Sequence, residues 1–143
     1  MSNKKSGTAF EKELCKKLAE RGVWSRLEYP AEDGSQPFDV KAICGNQLYV
    51  FECKDCQNGY FDTSRFEDNQ RIALKVLENN MHDFEILVAL NFDGEWYFVP
   101  FVDIRIKEKQ KKKKRFKKEE IMQFGSTINF EELIEVMEQL KWT

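Results

Sequence analysis

Near the start of the chain, Phe10, Leu14, Cys15 and Leu18 recur at i, i+4, i+5 and i+8, which predicts an amphipathic helix over residues 8–21 that Gly22 ends. Residues 23–29 alternate well enough for a strand, and residues 30–37, bounded by Pro30 and Pro37, read as a turn-rich loop. Two runs rich in β-formers follow, 38–44 and 47–54. The Gly45-Asn46 pair between them signals a two-residue hairpin, which Pro37 begins at a position a strand tolerates. Residues 57–65 are expected to loop just beyond that hairpin, placed to form a lip against a substrate. A second helix is predicted over residues 66–81, with the stripe Phe66, Gln70, Ala73, Leu74 and Leu77. The amide of Gln70 among apolar neighbours calls for a specific partner. Residues 84–91 are apolar almost throughout, as in a strand buried on both faces, and Asp93-Gly94 turns them into a further strand over 95–102. Asn129 with Glu132 forms a capping box for a last helix, 130–140. The order is helix, three strands, helix, two strands, basic segment, helix, which is an α/β chain with a mixed sheet. No internal repeat or interdomain linker interrupts it.

Composition narrows the class. The 143 residues, 41% apolar and 34% charged, suit one domain spanning 1–143 with a modest core. No apolar run approaches the roughly 20 residues of a membrane span, and the N-terminus lacks a signal-peptide stretch, so no membrane role and a cytoplasmic location are expected. Without a secretion signal, Cys15, Cys44, Cys53 and Cys56 are expected to be reduced thiols. Cys53 and Cys56 have the spacing of half a zinc site, but the hairpin would hold Cys44 about 20 Å from Cys53, so small core hydrophobes are the better expectation for Cys15, Cys44 and Cys53. His82, the single histidine, falls at a helix end where its charge suits the dipole. The net charge of −2 conceals an asymmetry: residues 107–118 hold nine Lys or Arg and one Glu, a local +8 that leaves −10 for the rest. Such a run either grips phosphates by counterion release or is a solvated flexible loop.

The hairpin carries the candidate chemistry. If Cys44 pairs with Gln47, Asp39 falls directly opposite Glu52, Lys54 shares the face of Glu52, and Cys53 points to the other face. Opposed residues have Cβ atoms about 5 Å apart, and like charges so placed are destabilising unless a cation lies between them. Glu11 projects from the apolar stripe of the first helix, where it would complete an acidic ligand set; a stripe-edge carboxylate reaching water is the plainer alternative. Phosphodiester hydrolysis needs an activated in-line water and neutralised charge, tasks suited to Mg²⁺ held by carboxylates, with an ammonium such as that of Lys54 beside them. An exposed, ion-paired sheet face is the competing account of the same residues.

Glu11 on the first helix, Pro37-Phe38-Asp39 on a strand and Glu52-Cys53-Lys54 on the next resemble the PD-(D/E)XK nuclease superfamily. Within it, Phe51-Glu52-Cys53-Lys54 followed by Phe66-x-x-x-Gln70, with Gly7 to Glu11 before and Trp96 to Pro100 after, is similar to the RecU-type Holliday junction resolvases of bacteria and their phages. Phe38 separates the Pro from the Asp, and no inserted stalk is recognised. The resemblance implies a restriction-endonuclease-like αβββαβ core, Mg²⁺ or Mn²⁺ dependence, a homodimer and symmetric nicking of four-way DNA junctions. By position it implies that Asp39, Glu52 and Glu11 bind metal, Lys54 serves the water, and Gln70 holds the metal shell or the scissile phosphate. Lys4, Lys5, Arg65, Lys111, Lys112, Lys113, Lys114 and Arg115 are the expected DNA contacts, and the cytoplasm of a bacterium or a phage-infected cell the expected place. A nuclease of flaps, single strands or foreign duplexes, or a catalytically silent DNA-binding module, would share most of these features.

Overall fold

The computed structural model describes residues 2–28, 38–80 and 84–140. The loop expected at 30–37 and His82 therefore lie outside the described residues. Helix α1 (Ser2–Glu20) is followed by Gly22, whose φ of +78° is one that L side chains rarely adopt. Strands β1 (Trp24–Leu27), β2 (Val40–Cys44) and β3 (Gln47–Asp55) form an antiparallel meander. The hairpin has the expected register: Cys44 pairs with Gln47 across Gly45-Asn46 and Val40 with Phe51. Beyond β3 the chain makes the short strand β4 (Tyr60–Asp62) and enters helix α2 (Asp68–Asn80). Strand β5 (Phe84–Phe92) returns parallel to β3 and pairs on its other side with β6 (Glu95–Pro100) through the Asp93-Gly94 turn. Both turn residues have positive φ, 52° and 94°, the geometry that matches strand twist in a two-residue hairpin.

After β6 the structure departs from expectation. Pro100 ends the strand, and helix α3 (Phe101–Lys111) begins where a strand was expected to continue. The basic run is no free loop: it continues from α3 into strand β7 (Arg115–Lys117) and helix α4 (Lys118–Met122). β7 pairs with β4, so the segment expected to be a plain loop lip is one strand of a two-stranded ribbon. Alternation explains the docking. Phe116 and Phe61 oppose each other and are buried, while Arg115 and Lys117 face out. A single apolar side chain, Phe116, was hidden among the lysines. Strand β8 (Ile128–Asn129) closes the sheet order β1-β2-β3-β5-β6-β8, and helix α5 (Phe130–Leu140) starts from the predicted capping box, with Asn129 N–H donating to Glu132 Oε1 at 3.0 Å and Glu132 N–H to Asn129 Oδ1 at 2.9 Å.

The sheet is covered on both sides. Phe10, Leu14 and Leu18 of α1 and Leu133, Ile134 and Met137 of α5 pack with Phe51, Leu87 and Phe98 on one face. Phe66, Leu74, Phe101, Ile104, Phe116 and Ile121 pack with Val50, Val88 and Leu90 on the other. Residues 86–90 of β5 are buried regardless of direction, as a central strand requires. Cys44, Cys53 and Cys56 are buried outside any disulfide, Cys44 donating its S–H to the Met137 carbonyl at 2.9 Å, and Cys15 packs at the edge of the first cluster, so all four serve the core. No helix among the described residues is long and apolar enough to cross a membrane.

If the β4–β7 ribbon is part of the folded core, Phe116→Ala will lower stability by about 3–5 kcal/mol in urea unfolding. A change within about 0.5 kcal/mol, the scale of a surface substitution, would mean that the ribbon is not docked.

Candidate active site

Burial of Glu52 in the middle of β3 sets the site's electrostatics. The residue is 2% exposed, and its immediate neighbours Tyr49, Val50, Phe51 and Cys53 carry no charge to balance it. Lys54, two residues on and therefore on the same face, brings Nζ to 3.0 Å from Glu52 Oε2. Gln70 of α2 donates its amide N–H to the same oxygen, so the amide placed on the apolar stripe does have a specific partner. Glu52 Oε1 is buried with no hydrogen-bond partner among the described residues.

Asp39 deviates from the expected rung. The ladder holds through Val40–Phe51, but the Asp39 N–H also donates to the Phe51 carbonyl at 2.9 Å, so two residues of one strand face one residue of the other. This is a β-bulge, a device that re-aims a side chain. Asp39 is consequently not directly opposite Glu52 as a regular hairpin would have it. Its Oδ2 accepts the Cys53 N–H at 2.8 Å, and its carboxylate lies close enough to Glu52 and Glu11 to act on the charge of both. Asp39 thus links Glu11, which α1 supplies from one face of the sheet, to Glu52 and Lys54 on the other.

Crowding of carboxylates in a dry site disfavours their charged forms. Desolvation, then the charge of Asp39 and the hydrogen bond to it, push Glu11 up to about 8 from 4.5, with Asp55 adding to the rise and Lys54 opposing it. Burial pushes Glu52 well above the ordinary carboxylate range, Asp39 adds to this, and Lys54 pulls the other way.

Sequence reading overlooked Asp55. As the next residue after Lys54 it alternates onto the Glu11 face of the strand, which was the available signal. Its Oδ1 accepts the Asn91 amide N–H at 2.8 Å and its Oδ2 is buried without a partner. A cleft of about 930 Å³, lined by Phe10, Lys17, Asn91, Trp96 and Phe130, touches this region through Asp55. It holds none of Glu11, Asp39 or Glu52, so the carboxylates and not the cleft define the site.

The residue types suit a hard divalent cation, because oxygen donors and a buried carboxylate oxygen without a partner are what such an ion satisfies. Among the described residues no three acidic, His or Cys side chains close on one point. Asp39 instead lies close enough to Glu11 and to Glu52 to act on the charge of each. Of the expected DNA contacts, Lys4 and Lys5 lie on α1, but their side chains are outside the described residues. Lys111 ends α3, Lys112 takes a left-handed φ of 54° as its C-cap, and Lys113 pairs with Glu120 at 2.5 Å. The Lys114 carbonyl accepts the Thr63 N–H at 2.7 Å, Arg115 lies 4.1 Å over the Tyr60 ring, and Arg65 donates to the Asp55 carbonyl. The run is therefore fastened beside the loop that follows β3.

Residues 2–142 match the family model described as archaeal Holliday junction resolvase (Hjc). The fold is similar to that of the Archaeoglobus fulgidus protein Hjc, a Holliday junction resolvase from an archaeal hyperthermophile, with a TM-score of 0.62 and 22% identity over 90% of this chain and 99% of that one. No curated protein sequence matches the chain.

Linkage gives the acids a measurable signature. Without divalent ions, folded Glu11 holds its proton to a higher pH than it does in the unfolded chain, so the folded state binds more protons between 4.5 and about 8 and loses stability as pH rises through that window. Urea unfolding of EDTA-treated protein will show stability falling from about pH 5 to about pH 8, and Glu11→Gln will flatten the slope. Equal slopes in both proteins would contradict the assignment. Adding Mg²⁺ at the alkaline end will raise Tm, since an ion bound only by the folded state stabilises it.

Proposed function

We infer that this chain, which belongs to the archaeal Holliday junction resolvase family, is a nuclease that resolves four-way DNA junctions by symmetric nicking at the Glu11–Asp39–Glu52–Lys54 site. The observation that carries the assignment of residues is the Glu52 carboxylate, held by Lys54 and Gln70 through one oxygen while the other is buried and unsatisfied. A buried carboxylate so oriented, with a second one close by, is suited to ligate a divalent ion. Asp39 and Glu52 would hold Mg²⁺ or Mn²⁺, with Glu11 assisting. The bound ion supplies positive charge for the oxygens of the scissile phosphate.

The protein's own groups do the rest. Gln70 fixes the Glu52 rotamer, so the ligand oxygen needs no reorganisation when DNA arrives. Lys54, only 14% exposed, presents donors that can orient an attacking water and offset the charge developing on phosphorus. Desolvation strengthens both interactions relative to water. Lys111, Lys112, Lys114 and Arg115, exposed beside the loop after β3, would bind backbone phosphates, with Arg65 at the lip. Two opposed strands of a junction require two related sites, and each chain brings its own, so the active form is a homodimer.

Asp39→Asn and Glu52→Gln keep side-chain volume and will lower cleavage of a synthetic four-way junction by at least about 10²-fold in Mg²⁺, the scale on which a charge-stabilising group is lost, while junction binding persists. Cleavage surviving in both variants would remove the proposed site. Flap, duplex and single-strand substrates in the same gel test selectivity: paired symmetric nicks in the junction support resolution, and equal cutting of all substrates would overturn it.

A further inference from the structure

Glu108 is the single acid within residues 107–118, and its placement is unlike that of the cations around it. Phe101, Ile104 and Glu108 stand at i, i+3 and i+7, so Glu108 lies on the core-facing stripe of α3 behind two residues that are each 1% exposed. Its carboxylate receives both arms of the Arg71 guanidinium, Nη1 to Oε1 and Nη2 to Oε2, each at 3.0 Å. The Thr63 hydroxyl donates to Oε2 at 2.6 Å, and Arg71 Nη2 also donates to the Thr63 carbonyl at 2.8 Å. A bidentate pair of this kind specifies direction as well as distance.

Arg71 is also part of the site's support. It follows Gln70, which holds Glu52, and its guanidinium lies 5.4 Å from the centre of the Phe66 ring. Lys54 Nζ lies 5.1 Å from that same ring. Phe66 is buried and braced edge-on by Phe61 of the ribbon and Phe101 of α3. Contacts therefore run from the lysine run through Glu108, Arg71 and Phe66 to Lys54, through groups that are mostly buried. An acid inside a phosphate-gripping run opposes DNA binding electrostatically, so its fixed, partnered position points to a geometric duty.

We propose that Glu108 is a positioning residue that locks the lysine run to α2 and Thr63, holding the phosphate grip at one spacing from the Lys54–Glu52 pair and so deciding which phosphodiester is cut. This rests on the reading that Lys111 to Arg115 contact DNA. The test uses full-length Glu108→Gln and Arg71→Lys, with Thr63→Val as a milder isosteric change, at a temperature where melting curves show each variant folded. Junction affinity will stay within about threefold of wild type with the same salt slope. The single-turnover cleavage rate will fall about 10–100-fold, the cost of a misplaced reacting group, and end-labelled junctions will show nicks spread over neighbouring phosphates. Wild-type rate with a single nick position in all the variants that fold overturns the proposal, as does a rate loss matched by an equal affinity loss. The combined substitution Lys111→Ala, Lys112→Ala and Lys114→Ala separates the two readings. If it leaves affinity and salt slope unchanged, the DNA-grip reading fails and takes this inference with it; if it weakens binding while Glu108→Gln changes nothing, only the inference fails.

Discussion

A carboxylate sealed inside a sheet is the constraint around which this protein is arranged. Removing a charge from water is expensive unless it is paired and hydrogen-bonded, and Glu52 is 2% exposed. One of its oxygens is answered by Lys54 and Gln70 and the other has no hydrogen-bond partner among the described residues. Helix α2 must therefore lie where Gln70 can reach β3, which the apolar residues Phe66 and Leu74 of the same stripe ensure by packing on that face. The core that stabilises the fold and the support that orients the site are here the same contacts.

The sheet divides the site in two. Glu52 and Lys54 face α2, while Glu11 and Asp55 stand on the α1 side, and a regular hairpin would leave the halves separated by the strand. The bulge at Asp39 removes that separation, because the re-aimed carboxylate meets both Glu11 and Glu52. The result is a group of acids that repel one another, in which Glu11 and Glu52 hold protons above the ordinary carboxylate range, a state that a divalent cation relieves. Local strain is thus concentrated where binding can repay it.

The lysine run shows a similar division of labour on a single segment. Its outward residues keep a strong positive field, while Phe116 within it, with Phe101 and Ile104 before it and Ile121 after it, seats α3, β7 and α4 against the second face of the sheet. Glu108 does by ion pairing what an apolar residue at its position would do by burial, with added directionality from the Arg71 fork.

Periodicity and turn chemistry are local, so the chain by itself determined the hairpin register, the apolar central strand, the stripe of α2 with its embedded amide, and the capping box of α5. It also determined the sharing of a face by Glu52 and Lys54, which follows from strand alternation alone. Only the tertiary structure decided that Asp39 leaves the ladder at a bulge, because that depends on hydrogen bonds between strands. Only it decided that the basic run is docked, because Phe61 and Phe116 lie 55 residues apart in sequence and their pairing has no local signal. The recruitment of Asp55, Arg71 and Glu108 was likewise settled in space, since a charge reads as surface until its partner, distant along the chain, is folded against it.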